Sequence, residues 1–415
     1  MRKKLLFYSD CYLFGGCETL LVNLINSDEV NDIFCVHYAY AWSKEYQDGL
    51  DNRLCGFESK YPLRVLSNTN LFYRIDLTRT NRHGTVIRKL PFVLLQRIGI
   101  YDLFNLFRLY FFFRKIKPDI LHINDGGYPG APSCLVAVFS AKMAGVKHIV
   151  FNVNNLAHPQ KNTLAKLIDE YVAKNVDYFI TASALARDKL IEHRSFAPTK
   201  ILRIFNALGE GEALKSRQEL LAAYDVTTDR FIIATVALLT ERKGQIFLLN
   251  ALHEIKQRDA NLLSNIVLFL VGDGEDRSKL ERVIQEYQLS DNVIITGYRD
   301  DYYDFINAAD LFILPSVNNE DMPLVILAAM KLGKAIVSTK VGGIVEEIRD
   351  GIDGVLLDPS ELRKLPLVIE ELYNNRKLRE RYGGSAKRRY HDCFSIENTV
   401  TAYINIYREL LSRVD

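Results

Sequence analysis

The run Leu311-Phe312-Ile313-Leu314-Pro315-Ser316-Val317-Asn318-Asn319-Glu320-Asp321-Met322-Pro323-Leu324-Val325-Ile326-Leu327-Ala328-Ala329-Met330 decides the fold. Four apolar residues stop at a proline and a polar run, which suits a buried parallel strand and is too short for a helix. A loop with two carboxylates follows, and a second apolar run starts at a Pro placed for the first turn of a helix. Strand, loop and helix in this order form the repeating unit of an open α/β sheet, whose ligands bind outside the carboxyl ends of the strands. In such a unit the N–H groups of Met322, Pro323's neighbour Leu324 and the helix start face an anion, and Glu320 suits sugar hydroxyls. Asp321 also reads as a first-turn charge favourable to the helix dipole.

The unit recurs on both sides. Further strands are predicted in the second half at 231–236, 266–271, 293–296, 335–338 and 354–357, with helical segments at 244–256, 277–287 and 323–331. In the first half strands are predicted at 5–9, 33–40, 119–123, 147–152, 178–181 and 201–205, with helices at 19–25 and 131–144. Alternation of this kind marks parallel α/β sheets, and 415 residues exceed one ordinary core, so two domains are expected. The stretch 206–229, with Gly209, Gly211 and a polar run, places the boundary between a domain at 1–205 and another at 206–394.

A hydrophobic content of 48% and a charged content of 25% fit a soluble globular protein. The net charge of +2 conceals an asymmetry. Residues 1–205 hold 27 Lys and Arg against 18 Asp and Glu, whereas residues 206–415 hold 26 against 33. Two readings of the basic half stand: contact with something anionic, such as a membrane surface or a phosphorylated lipid, or chance variation in solvated faces. A nucleic-acid partner is not expected, because no recognition motif accompanies the charge. Cys11, Cys17, Cys35, Cys55, Cys134 and Cys393 are scattered without metal-ligand spacing, as in a reduced cytosolic protein. Ser9-Asp10 interrupts the apolar start, so a first strand is expected there and not a signal peptide. No uninterrupted apolar run is long enough for a spanning helix.

Residues 85–117 set seven Arg and Lys within an apolar, aromatic run. Part of it, 102–117, reads as a crossover helix buried on both sides. For 85–100 two readings remain, an internal segment or a contact with membrane or acceptor, and Leu90-Pro91 breaks helix continuity there.

Several glycine turns lie where strands end. Phe14-Gly15-Gly16-Cys17-Glu18 follows the first strand, where it serves either close approach to a phosphate or a tight turn of positive φ. Lys243, beside Gly244, is placed to reach a diphosphate or simply to be solvated. Val271-Gly272-Asp273-Gly274 and Val341-Gly342-Gly343 with Glu346 and Glu347 are each either ligand-facing or plain turns.

In sequence order these motifs resemble the retaining GT-B glycosyltransferases of family 4. The resemblance rests on Gly15-Gly16-Cys17-Glu18, Pro118-Asp119-Ile120-Leu121-His122, Tyr178-Phe179-Ile180-Thr181-Ala182-Ser183, Asn206 and Lys243-Gly244. It continues through Gly272-Asp273-Gly274, Gly297-Tyr298, Pro315-Ser316, Glu320 to Leu327, Gly342-Gly343 with Glu346, and Phe394-Ser395. It implies an α/β fold of two Rossmann-like domains facing a central cleft, with the final helix, 395–415, returning to the N-terminal domain. It also implies a transferase that moves a hexose-type sugar from a UDP- or GDP-linked donor to a glycan or lipid-linked acceptor. Retention of configuration and a role in cell-surface polysaccharide biosynthesis come with it.

By position, the resemblance makes Glu320, Lys243 and Gly16 catalytic. Donor binding falls to Gly15, Gly16, Lys243, Gly272, Tyr298, Glu320, Met322, Pro323 and Leu324, and Asn154 lies on the acceptor side. No metal and no separate cofactor are implied, because a fixed cation acts where charge develops on the leaving diphosphate. A cytoplasmic location, peripheral on the inner face of the plasma membrane, would follow from a lipid-linked acceptor.

Three positions depart from the family pattern. Ala328 stands where a ribose-binding Glu is usual, Leu238 where an Arg partners the lysine, and Asn154 where a His is common. They motivate an alternative, a catalytically decayed binding or stabilising subunit, and leave Arg242 as the group able to stand in for the missing cation.

Overall fold

The structure, a computed structural model, describes residues 2–12, 14–51, 53–54, 59–67, 92–96, 98–209, 211 and 213–413. They form two compact units, one within Met1–Ile204 and Thr399–Asp415, the other Phe205–Asn398.

Among the described residues, the first unit holds seven strands: β1 Lys3–Ser9, β2 Phe34–Ala41, β3 Lys60–Leu63, β4 Ile120–Asp125, β5 His148–Val153, β6 Tyr178–Thr181 and β7 Ile201–Arg203. They lie in the order β3-β2-β1-β4-β5-β6-β7, and every pairing is parallel. The interior strands are buried on both faces, which is why they read as near-continuous apolar runs. Strand β3 escaped the sequence reading. Its Lys60-Tyr61-Pro62-Leu63 contains a proline and is only partly buried, and both are tolerated because β3 is an edge strand.

The second unit repeats the plan with β8 Phe231–Val236, β9 Ile266–Val271, β10 Val293–Gly297, β11 Leu311–Leu314, β12 Ala335–Thr339 and β13 Val355–Leu357. The order is β10-β9-β8-β11-β12-β13, again all parallel. Each unit closes its own core, around Leu6, Phe113 and Phe151 in the first and around Leu248, Leu268 and Ile313 in the second.

Helix Ile100–Ile116 corrects the expectation of burial on both sides. Tyr101, Asn105, Leu109, Phe113 and Ile116 are buried at helical spacing, whereas Leu103, Phe104, Phe107 and Phe111 are exposed. Both stripes are apolar, so hydropathy alone could not tell which one meets the neighbouring helix Pro132–Ala144 and which meets solvent. Residues 85–91, with the Leu90-Pro91 break, and Cys55 lie outside the described residues.

From Thr399 onward, helix Ile396–Ser412 belongs to the first unit. The Tyr407 hydroxyl meets His122 Nδ1, and Asn152 Nδ2 donates to the Tyr403 hydroxyl at 2.8 Å. Burial pushes His122 down to about 3, so it stays neutral within the core. Among the described residues, no helix is long and apolar enough to cross a membrane.

Candidate active site

In the second sheet the chain runs outward on one side of β8 through β9 and on the other side through β11, so the loops after β8 and β11 diverge. Ligands of open α/β sheets bind at this kind of switch point. Both loops carry predicted site residues there. Lys243 ends the short turn Glu241–Lys243 after β8, and Glu320 lies in the loop after β11.

Backbone packing fixes the two loops against each other. The Val317 N–H donates to the Arg242 carbonyl at 2.8 Å. Gly244 has φ +72°, and a Cβ there would sit 2.1 Å from the Pro315 carbonyl oxygen, so only glycine allows the approach. Asn319, at φ 55°, turns the chain just before Glu320, in a conformation asparagine tolerates.

Three donors then converge on Oε1 of Glu320. They are the Lys243 ammonium, Arg242 Nη1 at 3.2 Å and the Ser316 hydroxyl at 2.8 Å. Glu320, Lys243 and Ser316 are buried, and Arg242 is about a third exposed. Burial lowers the Lys243 pKa, and the Glu320 carboxylate opposes that shift. A diphosphate brought to this edge would find two cations already aimed at one point, with only a carboxylate to displace.

The other residues predicted to bind the donor follow β9, β10 and β11, along the same carboxyl edge of the sheet. Met322 is buried, and its carbonyl accepts from Asn206 Nδ2 at 3.1 Å. Pro323 caps the helix Leu324–Lys331, which places Leu324 at its first position. Gly272 packs on the loop after β8, where a Cβ would fall 1.9 Å from the Ala237 carbonyl oxygen. Tyr298 follows β10 with its ring exposed and its hydroxyl donating to Asp300 at 3.0 Å.

The departures from the family pattern have clear places. Ala328 is fully buried in its helix, and Leu238 is exposed with its carbonyl accepting from Gln245 at 2.8 Å. Arg242 reaches the same Glu320 oxygen as Lys243. Since Arg242 is part-exposed, Arg242→Ala is expected to weaken donor binding about tenfold, the scale of one hydrogen bond to a charged group, and Arg242→Lys less. Calorimetric titration with a UDP-sugar checks this.

Sequence reasoning did not separate Glu347 from Glu346 or assign it a role. It lies in the turn after Gly342-Gly343, is wholly enclosed, and neither carboxyl oxygen has a hydrogen-bond partner. Burial pushes its carboxyl well up, with Asp321 and Glu320 adding in the same direction. The adjacent Glu346 and Glu347 were the only signal, and nothing in the sequence showed which of them turns inward.

Predicted residues of the first unit gather at the carboxyl edge of its sheet. Gly15 caps helix Gly16–Asn26 at φ −139°, and neither it nor Gly16 has positive φ, which removes the tight-turn reading. Glu18 holds this start in place, accepting from the Gly15 N–H at 3.1 Å. Asn154 follows β5 and braces the edge by donating to Asn124 Oδ1 and the Asp125 carbonyl, both at 2.8 Å. The carboxyls of buried Glu18 and Asp125 and half-buried Asp10 share this edge, and desolvation raises all three. Asp125-Gly126-Gly127, a turn after β4, was the signal for this cluster that the sequence reading passed over.

Burial raises Glu18 from 4.5 to about 7. Between those values the folded chain holds a proton that the unfolded chain has lost, so this group's contribution to stability falls as pH rises and levels off above 7. Glu18→Gln is expected to remove that part of the slope. Urea midpoints of both proteins across this pH range test it, and identical slopes would contradict it.

Residues 65–208 match the family model described as Glycosyltransferase Family 4, and residues 216–389 match Glycosyl transferases group 1. An uncharacterized glycosyltransferase of Methanocaldococcus jannaschii is 25% identical over 347 residues, covering 80% of this chain and 86% of that protein. The UDP-Gal:alpha-D-GlcNAc-diphosphoundecaprenol alpha-1,3-galactosyltransferase of Escherichia coli is 25% identical over 278 residues, covering 63% of this chain and 68% of its own. Among solved structures, Anabaena HepE in complex with UDP superposes with a TM-score of 0.73 at 16% identity, over 98% of this chain and all of that one.

Proposed function

This chain belongs to the GT-B glycosyltransferases of family 4, and from that premise we propose that it moves a hexose-type sugar from a nucleotide-sugar, UDP-linked first and GDP-linked second, to a glycan or lipid-linked acceptor. The observation that carries the reading is the convergence of Lys243 and Arg242 on Glu320 at the sheet's switch point. Lys243 and Arg242 neutralise the diphosphate as negative charge builds on it, and Glu320, released from Lys243, binds hydroxyls of the donor sugar. Met322, Pro323 and Leu324 line sugar and phosphate, Gly272 keeps the loop after β8 in register, and Tyr298 lies against the base. Gly15 and Gly16 leave room for the reacting sugar, and Asn154 acts on the acceptor side. Transfer proceeds with retention of configuration, which NMR assignment of the product anomer checks.

The donor choice is supported by the HepE complexes with UDP and with UDP-glucose. A diphosphoundecaprenol acceptor in the Escherichia coli relative supports a lipid-linked acceptor in cell-surface polysaccharide biosynthesis. That acceptor would place the protein on the cytoplasmic face of the plasma membrane. No separate cofactor is needed for this chemistry, and turnover is expected to be the same in excess EDTA as in magnesium. A large loss in EDTA would contradict that expectation.

A catalytically decayed binding or stabilising subunit is the competing reading, favoured by buried Ala328 and exposed Leu238. Calorimetric titration against a panel of UDP-, GDP- and CMP-sugars separates the two. Binding that disappears in Lys243→Ala supports the transferase, and no binding to any donor supports the subunit.

A further inference from the structure

We propose that the outward face of helix Ile100–Ile116 docks the protein onto an anionic lipid bilayer. The inference rests on the membrane-face location proposed above for its use in catalysis, but its physical basis is separate. Ile100, Leu103, Phe104, Phe107 and Phe111 are 45%, 55%, 44%, 50% and 66% exposed. Their spacing of three and four residues lines them along one side of the helix, opposite the buried stripe. Leu94 and Ile98, also exposed, precede the helix. A run of large apolar side chains left in water at this spacing is far from the scattered single exposures usual on a surface.

Charge selects the occupant. The other exposed residues of this helix are Arg114 and Lys115, so its exposed positions are all either apolar or basic. Arg108 is half-buried with its guanidinium over the Phe104 ring, and Lys117 is exposed just beyond the helix. The single acid of the helix, Asp102, is only partly exposed, and burial raises its carboxyl. A second copy presenting the same face would set apolar and basic groups against their like, with no exposed acid of the helix to pair with. Lipid phosphates supply the missing negative charge. Aromatic rings can enter the boundary between headgroups and acyl chains while the long basic side chains reach back to the phosphates.

Flotation on phosphatidylcholine vesicles with and without phosphatidylglycerol tests the proposal with the full chain, at low and high salt. The wild type should float with the anionic vesicles and do so less at high salt. The double variant Arg114→Ala/Lys115→Ala should partition roughly thirtyfold more weakly, from about 1 kcal/mol per basic residue near the surface. Phe107→Asp/Phe111→Asp, at exposed positions, should weaken it at least about tenfold. UDP-sugar binding by calorimetry should be unchanged in both variants, which shows that they fold. Lys243→Ala should float like the wild type, so failure of the donor-site reading and failure of this one are told apart. The proposal is overturned if the wild type ignores anionic vesicles, if neither double variant weakens flotation, or if the lipid-free wild type is a dimer that Phe107→Asp/Phe111→Asp converts to monomer.

Discussion

Lys243→Ala is expected to lower kcat by about a hundred- to a thousandfold, the cost of removing one fixed charge-stabilising donor from a closed site. The lysine is buried against Glu320, so its ammonium is held at the site and exchanges that carboxylate for the diphosphate. Nucleoside diphosphate release in a coupled assay measures the effect. Because Glu320 keeps Ser316 and Arg242 as donors, the stability loss should fall below the roughly 3–5 kcal/mol of a fully orphaned buried charge. Lys243→Arg should not restore the rate, since a planar fork cannot replace a compact ammonium in this space. Burial also lowers the pKa of Lys243. Donor binding should therefore weaken on the alkaline side at a lower pH than an ordinary lysine would dictate.

Gly342→Ala should disrupt both stability and donor binding. Gly342 has φ +60°, and a Cβ there would lie 1.8 Å from the carbonyl oxygen of Glu320. Left-handed strain costs alanine about 1–2 kcal/mol, and overpacking adds about 1–3 kcal/mol. Relief of the clash has to move the very loop that presents Glu320 to Lys243. Gly351 is the matched control, at φ +73° with nothing within 4 Å of its would-be Cβ. Gly351→Ala should cost only the strain and leave donor binding unchanged. Urea denaturation and calorimetry on both variants make the comparison, and equal losses would show that the contact with Glu320 carries no weight.

The sheets were legible because parallel strands buried on both faces leave short apolar runs bounded by glycine or polar turns, as Leu311–Leu314 and Ile266–Val271 do. Strand β3 was not, because an edge strand with Pro62 and an exposed Lys60 lacks that run. Helix Ile100–Ile116 was recognised, but its environment was misjudged: an all-round apolar sequence does not say how many of its sides have a neighbour. At the candidate site, Glu320 and Lys243 could be singled out as charged residues in the loops after predicted strands, and the resemblance to the family gave them their roles. Their direct pairing could not, since it depends on two loops 77 residues apart meeting beside β8 and β11. Arg242 was visible only as a neighbour of Lys243. Glu347 turns inward within a short helical turn, and no spacing rule distinguishes it from Glu346.

The central claim is that the donor is held at the carboxyl edge of β8 and β11, with its diphosphate on Lys243 and its sugar on Glu320. A crystal structure of the protein with a bound UDP-sugar tests it most directly. The account predicts diphosphate oxygens within hydrogen-bond distance of Lys243 Nζ and the Arg242 guanidinium, and a sugar hydroxyl on the Glu320 carboxylate. A nucleotide bound elsewhere, or one bound here with Lys243 still on Glu320 and touching no phosphate, would contradict it.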